Sequence, residues 1–98
     1  MYQEIAQIDV KSGTEAVFEQ QVAKARPLFL DFPGCHGVNL HRSVEHPSRY
    51  RLIVLWATVE THTVDFRNSD AFQQWRALVG DCFAAPPHVE HTHEIRLD

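Results

Sequence analysis

The chain has 98 residues, of which 44% are hydrophobic and 22% charged, and its formal net charge at pH 7 is −4. This length predicts one domain, residues 1–98, built around one core. The lysines and arginines do not cluster, which argues against nucleic acid or an anionic membrane as a partner. No apolar run is long enough to cross a membrane and the N-terminus has no signal-peptide core, so we expect a cytoplasmic protein. Cys35 and Cys82 are accordingly expected to be free thiols.

The first half of the chain predicts a strand, a helix and a second strand. Tyr2–Val10 alternates in the manner of a strand, with Ala6, Ile8 and Val10 on one face. The segment Ser12-Gly13-Thr14-Glu15 matches a capping box, so a helix should begin there. Pro27 should kink this helix or end its regular part. After a Pro-Gly turn, Cys35–Val44 is the second predicted strand. The buried stripe of the helix is expected at Phe18, Val22, Ala25 and Phe29.

The second half predicts a hairpin partner, two helices and a last strand. Tyr50–Ala57 is almost wholly apolar over Leu52–Trp56, which predicts a central strand with both faces covered. Thr58 is the predicted cap of a short helix that puts His62 and Phe66 on one face. Ser69 should cap the next helix, whose apolar stripe is Phe72, Trp75 and Val79. His88–Ile95 is the last predicted strand, and the side chains on one of its faces are Val89, His91, His93 and Ile95.

The predicted order of elements is β-α-β-β-α-β. This order is typical of the α+β ferredoxin-like fold, in which helices cover one face of a four-stranded antiparallel sheet. The other face is then too apolar to be left in water and too polar to be a deep core. It suits a homodimer in which two sheets pack face to face. The residues expected on this face are Ile5, Gln7, Asn39, His41, Ile53 and Leu55.

Four segments, in this order and at this spacing, carry a resemblance that covers about Tyr2 to Ile95. They are Pro33–Gly37, Tyr50–Trp56, His62–Trp75 and Pro86–His91. With them the chain resembles the antibiotic biosynthesis monooxygenase (ABM) family. The resemblance implies a ferredoxin-like chain that pairs into a dimeric α/β barrel.

The activities of that family include cofactor-independent oxygenation of quinol-like or polyketide aromatics, haem degradation and isomerisation of a signalling sugar. A shared fold does not choose among them. The haem-degrading members have an asparagine on the first strand, a tryptophan before the Ser-Asp cap and a histidine ten residues later. The matching positions here are Ile5, Phe66 and Arg76, so we reject haem degradation and expect no cofactor.

The oxygenase hypothesis needs a small hydroxylated aromatic or quinol-like substrate between the helices and the sheet. A base removes its proton, and the resulting anion reacts directly with molecular oxygen. His62 is the predicted base, and His91 is a second base or a donor to the anion. Arg67 is an alternative to Arg76 for holding an acidic substrate. The predicted substrate-binding residues are Trp56, Phe66, Phe72, Trp75 and Arg76.

Each of these residues also has a purely structural interpretation. Phe72 and Trp75 have the spacing of core residues, His62 could cap or hydrogen-bond near the surface, and His91 could be a satisfied polar group. His91 and His93 share a strand face, but no carboxylate or cysteine motif completes a metal site, so no metal is predicted. Two other functions stay open. One is a non-catalytic small-molecule-binding or dimerisation module, and the other is an isomerase or hydrolase of a small polar metabolite.

Overall fold

Four antiparallel strands and two α-helices make up the fold in the computed structural model, which describes residues 1–98. The sheet order is β2-β3-β1-β4, so β1 and β3 are its central strands. The predicted α+β ferredoxin-like order is therefore confirmed. None of the helices has the length and apolar character needed to cross a membrane. The elements are β1 (Tyr2–Asp9), α1 (Glu15–Leu30), β2 (Cys35–Arg42), β3 (Arg49–Trp56), a π-helical segment (Thr61–Phe66), α2 (Asp70–Val79), a 3₁₀ turn (Gly80–Cys82) and β4 (His88–Thr92).

The core lies between the helices and one face of the sheet. Alternate residues of the central strands point into it, and the predicted stripe of α1 meets them. Burying side chains of this size contributes about 1.5–3 kcal/mol each, so this face accounts for most of the favourable burial. Ser69 caps α2 as predicted, because its Oγ accepts a hydrogen bond from the Phe72 N–H (3.2 Å). Among the most deeply buried residues are Ile8, Phe18, Ala25, Phe29, Tyr50, Leu52, Val54, Trp56 and Val79.

The opposite face of the sheet has no helix over it. Ile5, Ile53 and Leu55 are half-buried there, while Asn39 and His41 are exposed. The register places these residues on one face, because Ile53 pairs with Ile5 on one side and with Asn39 on the other. Within a single chain, β3 is thus covered by helices on one face only, and the prediction that both faces are covered is not met.

The start of α1 differs from the capping-box prediction. The helix begins at Glu15 with Thr14 as its N-cap, and no side chain caps its free N–H groups. The carboxylate of Glu15 instead accepts a hydrogen bond from the N–H of Gly13 (2.8 Å). Pro27 lies at an exposed position inside α1 and does not end it, since the helix continues to Leu30.

All four strands are shorter than predicted at their C-terminal ends, and β3, which ends at Trp56 rather than Ala57, begins one residue early at Arg49. β1 ends at Asp9, and β2 ends at Arg42 rather than Val44. β4 ends at Thr92, so His93 and Ile95 lie beyond the paired residues and are exposed. β4 pairs with Gln3–Gln7 of β1, and Thr92 lies opposite Gln3, so β1 has no residue left that could pair with Ile95.

Candidate active site

A cavity of about 290 Å³ lies between β1, the π-helical segment and α2. Most of its wall is apolar, and the polar groups are concentrated at a few positions. This combination is typical of a small-molecule site. Five of the seven predicted site residues line it: His62, Phe66, Phe72, Trp75 and Arg76. The other two, Trp56 and His91, are not in the wall but contact His62 from behind.

The π-helical segment turns His62 inward. Thr58 begins this helical stretch as predicted, since its Oγ1 accepts a hydrogen bond from the Thr61 N–H (3.0 Å). His62 is only 3% exposed, so the interpretation of it as a surface residue is wrong. Its ring stacks on the indole of Trp56, with ring centroids 5.3 Å apart and planes 13° apart. Phe66, four residues on, is buried beside the same indole as the predicted shared face requires.

A carboxyl group, that of Glu4, lies beside the His62 imidazole. Glu4 is 5% exposed, and its Oε1 accepts a hydrogen bond from the Trp56 Nε1–H (3.0 Å). The same Oε1 is 3.3 Å from His62 Nε2. On the other side of the ring, His62 Nδ1 is 2.8 Å from His91 Nε2. The β1–β4 register places His91 directly opposite Glu4. One carboxyl and two imidazoles therefore form a continuous polar cluster under the cavity.

Burial shifts the pKa values of this cluster in opposite directions. It raises the pKa of Glu4 to about 7, although the Trp56 hydrogen bond and the positive charge of Arg67 act against the rise. It lowers the pKa of His62 to about 4, and the charge of Arg67 adds to that effect. The pKa of His91 is also lowered, first by burial and then by Arg67. Near pH 7 both imidazoles are neutral and the carboxyl group changes charge.

Two arginines bring positive charge to the cavity. Arg67 and Arg76 are exposed residues that line it, and neither forms a salt bridge within the chain. The guanidinium of Arg76 lies 6.0 Å from the Phe72 ring centre and 5.7 Å from that of Phe83. These distances allow a cation–π contact with both rings. Both candidates for holding an acidic substrate thus reach the site, not Arg76 alone.

The remaining candidate groups lie outside the cavity. His93 is beyond the end of β4, and no group of three His, Cys, Asp or Glu side chains is arranged to hold a metal ion. Cys35 and Cys82 are free thiols in separate places, and burial raises the pKa of Cys35. Neither cysteine lines the cavity, and a thiol with a raised pKa, such as that of Cys35, is a weak nucleophile, so the two cysteines add no chemistry to the site.

Glu4 was not predicted as a site residue, although the sequence carries a signal for it. The alternation that puts Ala6, Ile8 and Val10 on the core face also puts Glu4 there, one step earlier. A carboxyl group at a core position is uncommon and needs a partner or a function. Extending the strand pattern toward its N-terminus would have identified it.

Comparisons with known proteins place the chain in a family. The sequence profile of the family "antibiotic biosynthesis monooxygenase" matches residues 1–78. The solved structure of a candidate antibiotic biosynthesis monooxygenase from Bordetella bronchiseptica is 59% identical, with 97% of each chain covered and a TM-score of 0.95. The uncharacterized Bacillus subtilis protein YczJ is 34% identical over 97% of this chain and 100% of its own length. A candidate monooxygenase from Caulobacter crescentus, 22% identical over 97% of this chain and 90% of its own (TM-score 0.82), shares the fold. The chain belongs to the antibiotic biosynthesis monooxygenase family.

Proposed function

We propose that this protein is a cofactor-independent monooxygenase that acts on a small hydroxylated aromatic or quinol-like substrate bound in the cavity. The observation that carries this proposal is the combination of an aromatic-lined cavity and a neutral His62 imidazole in its wall. Direct oxygenation of an anion needs a dry, apolar site and a proton acceptor beside the substrate. The cluster around His62 and His91 supplies the proton acceptor, and the apolar wall supplies the site.

The reaction balances with molecular oxygen as the only co-substrate. Loss of a proton leaves an electron-rich anion, which reduces oxygen and forms a carbon–oxygen bond, giving a hydroperoxide. Loss of a second proton from the same carbon breaks the O–O bond. One oxygen atom stays on the substrate as a carbonyl, and the other leaves as water. The protein therefore needs to move protons and hold an anion, and the residues of the cavity can do both.

The two arginines favour a substrate with an acidic substituent. Arg67 and Arg76 have no partner in the chain, and Glu4 is the single acidic residue of the cavity wall. Since burial holds much of the Glu4 population neutral near pH 7, the wall is positive in sum. A carboxylate on the substrate would pair with a guanidinium, a contact that also fixes its orientation.

The convergence of charged groups also supports a second candidate, an isomerase of a small polar metabolite. Glu4, Arg67 and Arg76 line the same cavity as His62. Moving a proton between two carbons needs the same proton acceptor but no oxygen. The two candidates differ in one measurable quantity, the consumption of oxygen.

The test is oxygen uptake with a panel of quinols and hydroxylated aromatic acids. We expect uptake by the wild-type protein and a loss of about 10²-fold or more in His62→Ala, because this change disrupts the proton-accepting cluster and proton transfer contributes that much. His46→Ala, in the exposed hairpin, is the matched control and should retain full uptake. Absence of uptake across the panel would contradict the oxygenase proposal. Uptake that His62→Ala leaves unchanged would remove His62 from the mechanism.

A further inference from the structure

We propose that the Glu4 carboxyl group is the base that takes the proton from the substrate, and that Trp56, His62 and His91 hold it in place. This inference rests on the proposed function for its substrate class. It changes the role of the two histidines, which become positioning residues, and assigns the proton to a carboxyl group on the first strand.

The geometry leaves His62 without a free nitrogen for a substrate. Its Nδ1 is 2.8 Å from His91 Nε2, and its Nε2 is 3.3 Å from Glu4 Oε1. His62 Nδ1 is engaged by His91, and a substrate that approached Nε2 would have to displace the Glu4 carboxyl oxygen that lies against it. His62 lines the cavity, but its nitrogens face His91 and Glu4, so we look for the base among its neighbours.

Glu4 does have a free atom. Both of its contacts, to Trp56 Nε1–H and to His62 Nε2, are made by Oε1. Glu4 lines the cavity, so Oε2 is the carboxyl oxygen available to a ligand there. Two contacts on one oxygen fix the plane of the carboxyl group and leave the other oxygen directed to the substrate. A base fixed in this way reaches its proton without reorganising the site.

The two histidines form a chain that orients this carboxylate. When His91 Nε2–H donates to His62 Nδ1, the proton of the neutral His62 ring must be on Nε2, which faces Glu4 Oε1. Oε1 then accepts a hydrogen bond from the Trp56 indole N–H and lies 3.3 Å from the protonated nitrogen of the imidazole. In this arrangement His91 sets the tautomer of His62, and His62 orients the Glu4 carboxylate. Proteins often use one hydrogen-bonding group to fix the tautomer of a functional histidine in this way.

The pKa of Glu4 suits a group that first accepts a proton from the substrate and later returns one. The groups that face it are Trp56 from β3, His62 and Arg67 from the segment after β3, and His91 from β4. Burial is the largest influence and raises the pKa of the carboxyl group to about 7, while both imidazoles stay neutral. A group with that pKa is both a base and an acid near neutral pH.

The steps balance in protons and electrons. The O–H or acidic C–H bond of the substrate breaks, its electron pair stays on the substrate, and the proton goes to Glu4 Oε2. Oxygen then oxidises the anion and forms the carbon–oxygen bond of a peroxide anion. When the O–O bond breaks, the remaining hydrogen of the same carbon leaves with the outer oxygen as hydroxide, which takes the proton back from Glu4 and departs as water. The carboxylate is thereby regenerated without another reactant.

Proton removal can be measured without oxygen, which separates this inference from the proposed function. The probe is anthrone in deuterated buffer under nitrogen, with deuterium uptake at its methylene group followed by NMR. We expect Glu4→Gln to lower the enzymatic exchange rate by about 10²-fold or more, because a general base contributes that much. Asp9→Asn, a surface carboxylate on the same strand, is the matched control and should exchange at the wild-type rate.

The pH profile distinguishes a base from a structural residue. Wild-type exchange should rise with pH and level off above about 7, the pKa of Glu4, and this step should be absent in Glu4→Gln. Exchange in Glu4→Gln at the wild-type rate and with the wild-type profile would overturn the proposal, as would a wild type that does not accelerate exchange. Exchange without oxygen consumption would instead contradict the monooxygenase and leave Glu4 as the base.

A second measurement covers a Glu4→Gln protein that does not fold. The side-chain carboxyl carbon of Glu4 can be titrated by NMR in the wild-type protein, with no ligand and no variant. A midpoint near 7 supports the proposal. A midpoint near the ordinary value of 4.5 would show a fully ionised carboxylate with little basicity, and would overturn it.

Discussion

Glu4 and His62 are adjacent buried groups whose ionisation affects stability with opposite signs. Glu4 has a pKa of about 7 in the folded chain against an ordinary value of 4.5, so its contribution to stability falls as pH rises through this range. His62 has a pKa of about 4 against 6.5, so its contribution falls as pH decreases from 6.5 to 4. Each effect amounts to about 3 kcal/mol at its limit. Between pH 4.5 and 6.5 the two groups therefore change the free energy of unfolding in opposite directions as the pH rises.

We therefore predict that single variants show a pH dependence of stability that largely cancels in the wild-type protein. Glu4→Gln should gain stability as pH rises from 4 to 6.5, because the lowered pKa values of His62 and His91 then act without the opposing Glu4 effect. His62→Gln should lose more stability than the wild type between pH 4.5 and 7, because the Glu4 effect is then opposed only by that of His91. Urea unfolding at a series of pH values measures both, and the slope is informative even if each variant is less stable at every pH. Parallel curves for all three proteins would contradict these pKa shifts.

Gly34 is the point at which the turn before β2 meets the π-helical segment. Its φ is +90°, and a Cβ at this position would lie 2.7 Å from Thr61 Cγ2, next to His62. Its carbonyl also accepts a hydrogen bond from the Ala57 N–H (2.8 Å). The close approach fixes the segment against the sheet, and only glycine satisfies both the backbone angle and the contact.

We predict that Gly34→Ala destabilises the fold more than Gly13→Ala. Gly13 has a similar φ, +94°, but nothing within 4 Å of an added Cβ, so its substitution costs only the backbone strain, about 1 kcal/mol. Gly34→Ala adds the overlap with Thr61, roughly 1–3 kcal/mol more. Thermal unfolding of both variants gives the difference. Equal losses of stability in the two variants would mean that the turn at Gly34 can move away from Thr61 without destabilising the fold.

The elements that the sequence predicted well are those with long, regular patterns. The stripe of α1, the apolar run of β3 and the Ser69 cap were all found where predicted. The π-helical geometry was not predictable, because no residue spacing specifies it. It is defined by hydrogen bonds between residues five positions apart, such as that from the Arg67 N–H to the His62 carbonyl oxygen (3.2 Å). The end of β4 depends on its register with the start of β1, which is a property of the whole sheet.

The site was predictable in its apolar wall and less so in its polar groups. Phe66, Phe72 and Trp75 follow from helical spacing, since the stripe of a helix must face the sheet. The contacts of Glu4 depend on which strands are neighbours. β1 lies between β3 and β4 and so brings Trp56 and His91 to one carboxyl group. Sequence patterns predict which face of a strand each residue lies on, but not which side chains of the neighbouring strands lie next to it.

At the scale of the whole molecule, one face of the sheet is not covered by any other element of the chain. Ile5, Ile53 and Leu55 are half-buried there with no helix over them. Arg51 belongs to the same face, since it pairs with Gln7, and its Nη1 is buried without a hydrogen-bond partner. A second copy packed on this face would bury the apolar side chains and could supply an acceptor for the guanidinium.

We predict that the protein is a homodimer through this face. Light scattering after size exclusion should give twice the 11.3 kDa of one chain, and Ile53→Glu should give the single-chain mass. The reason is that a carboxylate at the centre of a buried apolar interface has no partner and opposes association. Val17→Glu, an equally drastic change at an exposed position of α1, is the control and should leave the dimer intact. A wild-type protein that stays monomeric at high concentration, or an Ile53→Glu protein that stays dimeric, would show that this face is not the interface.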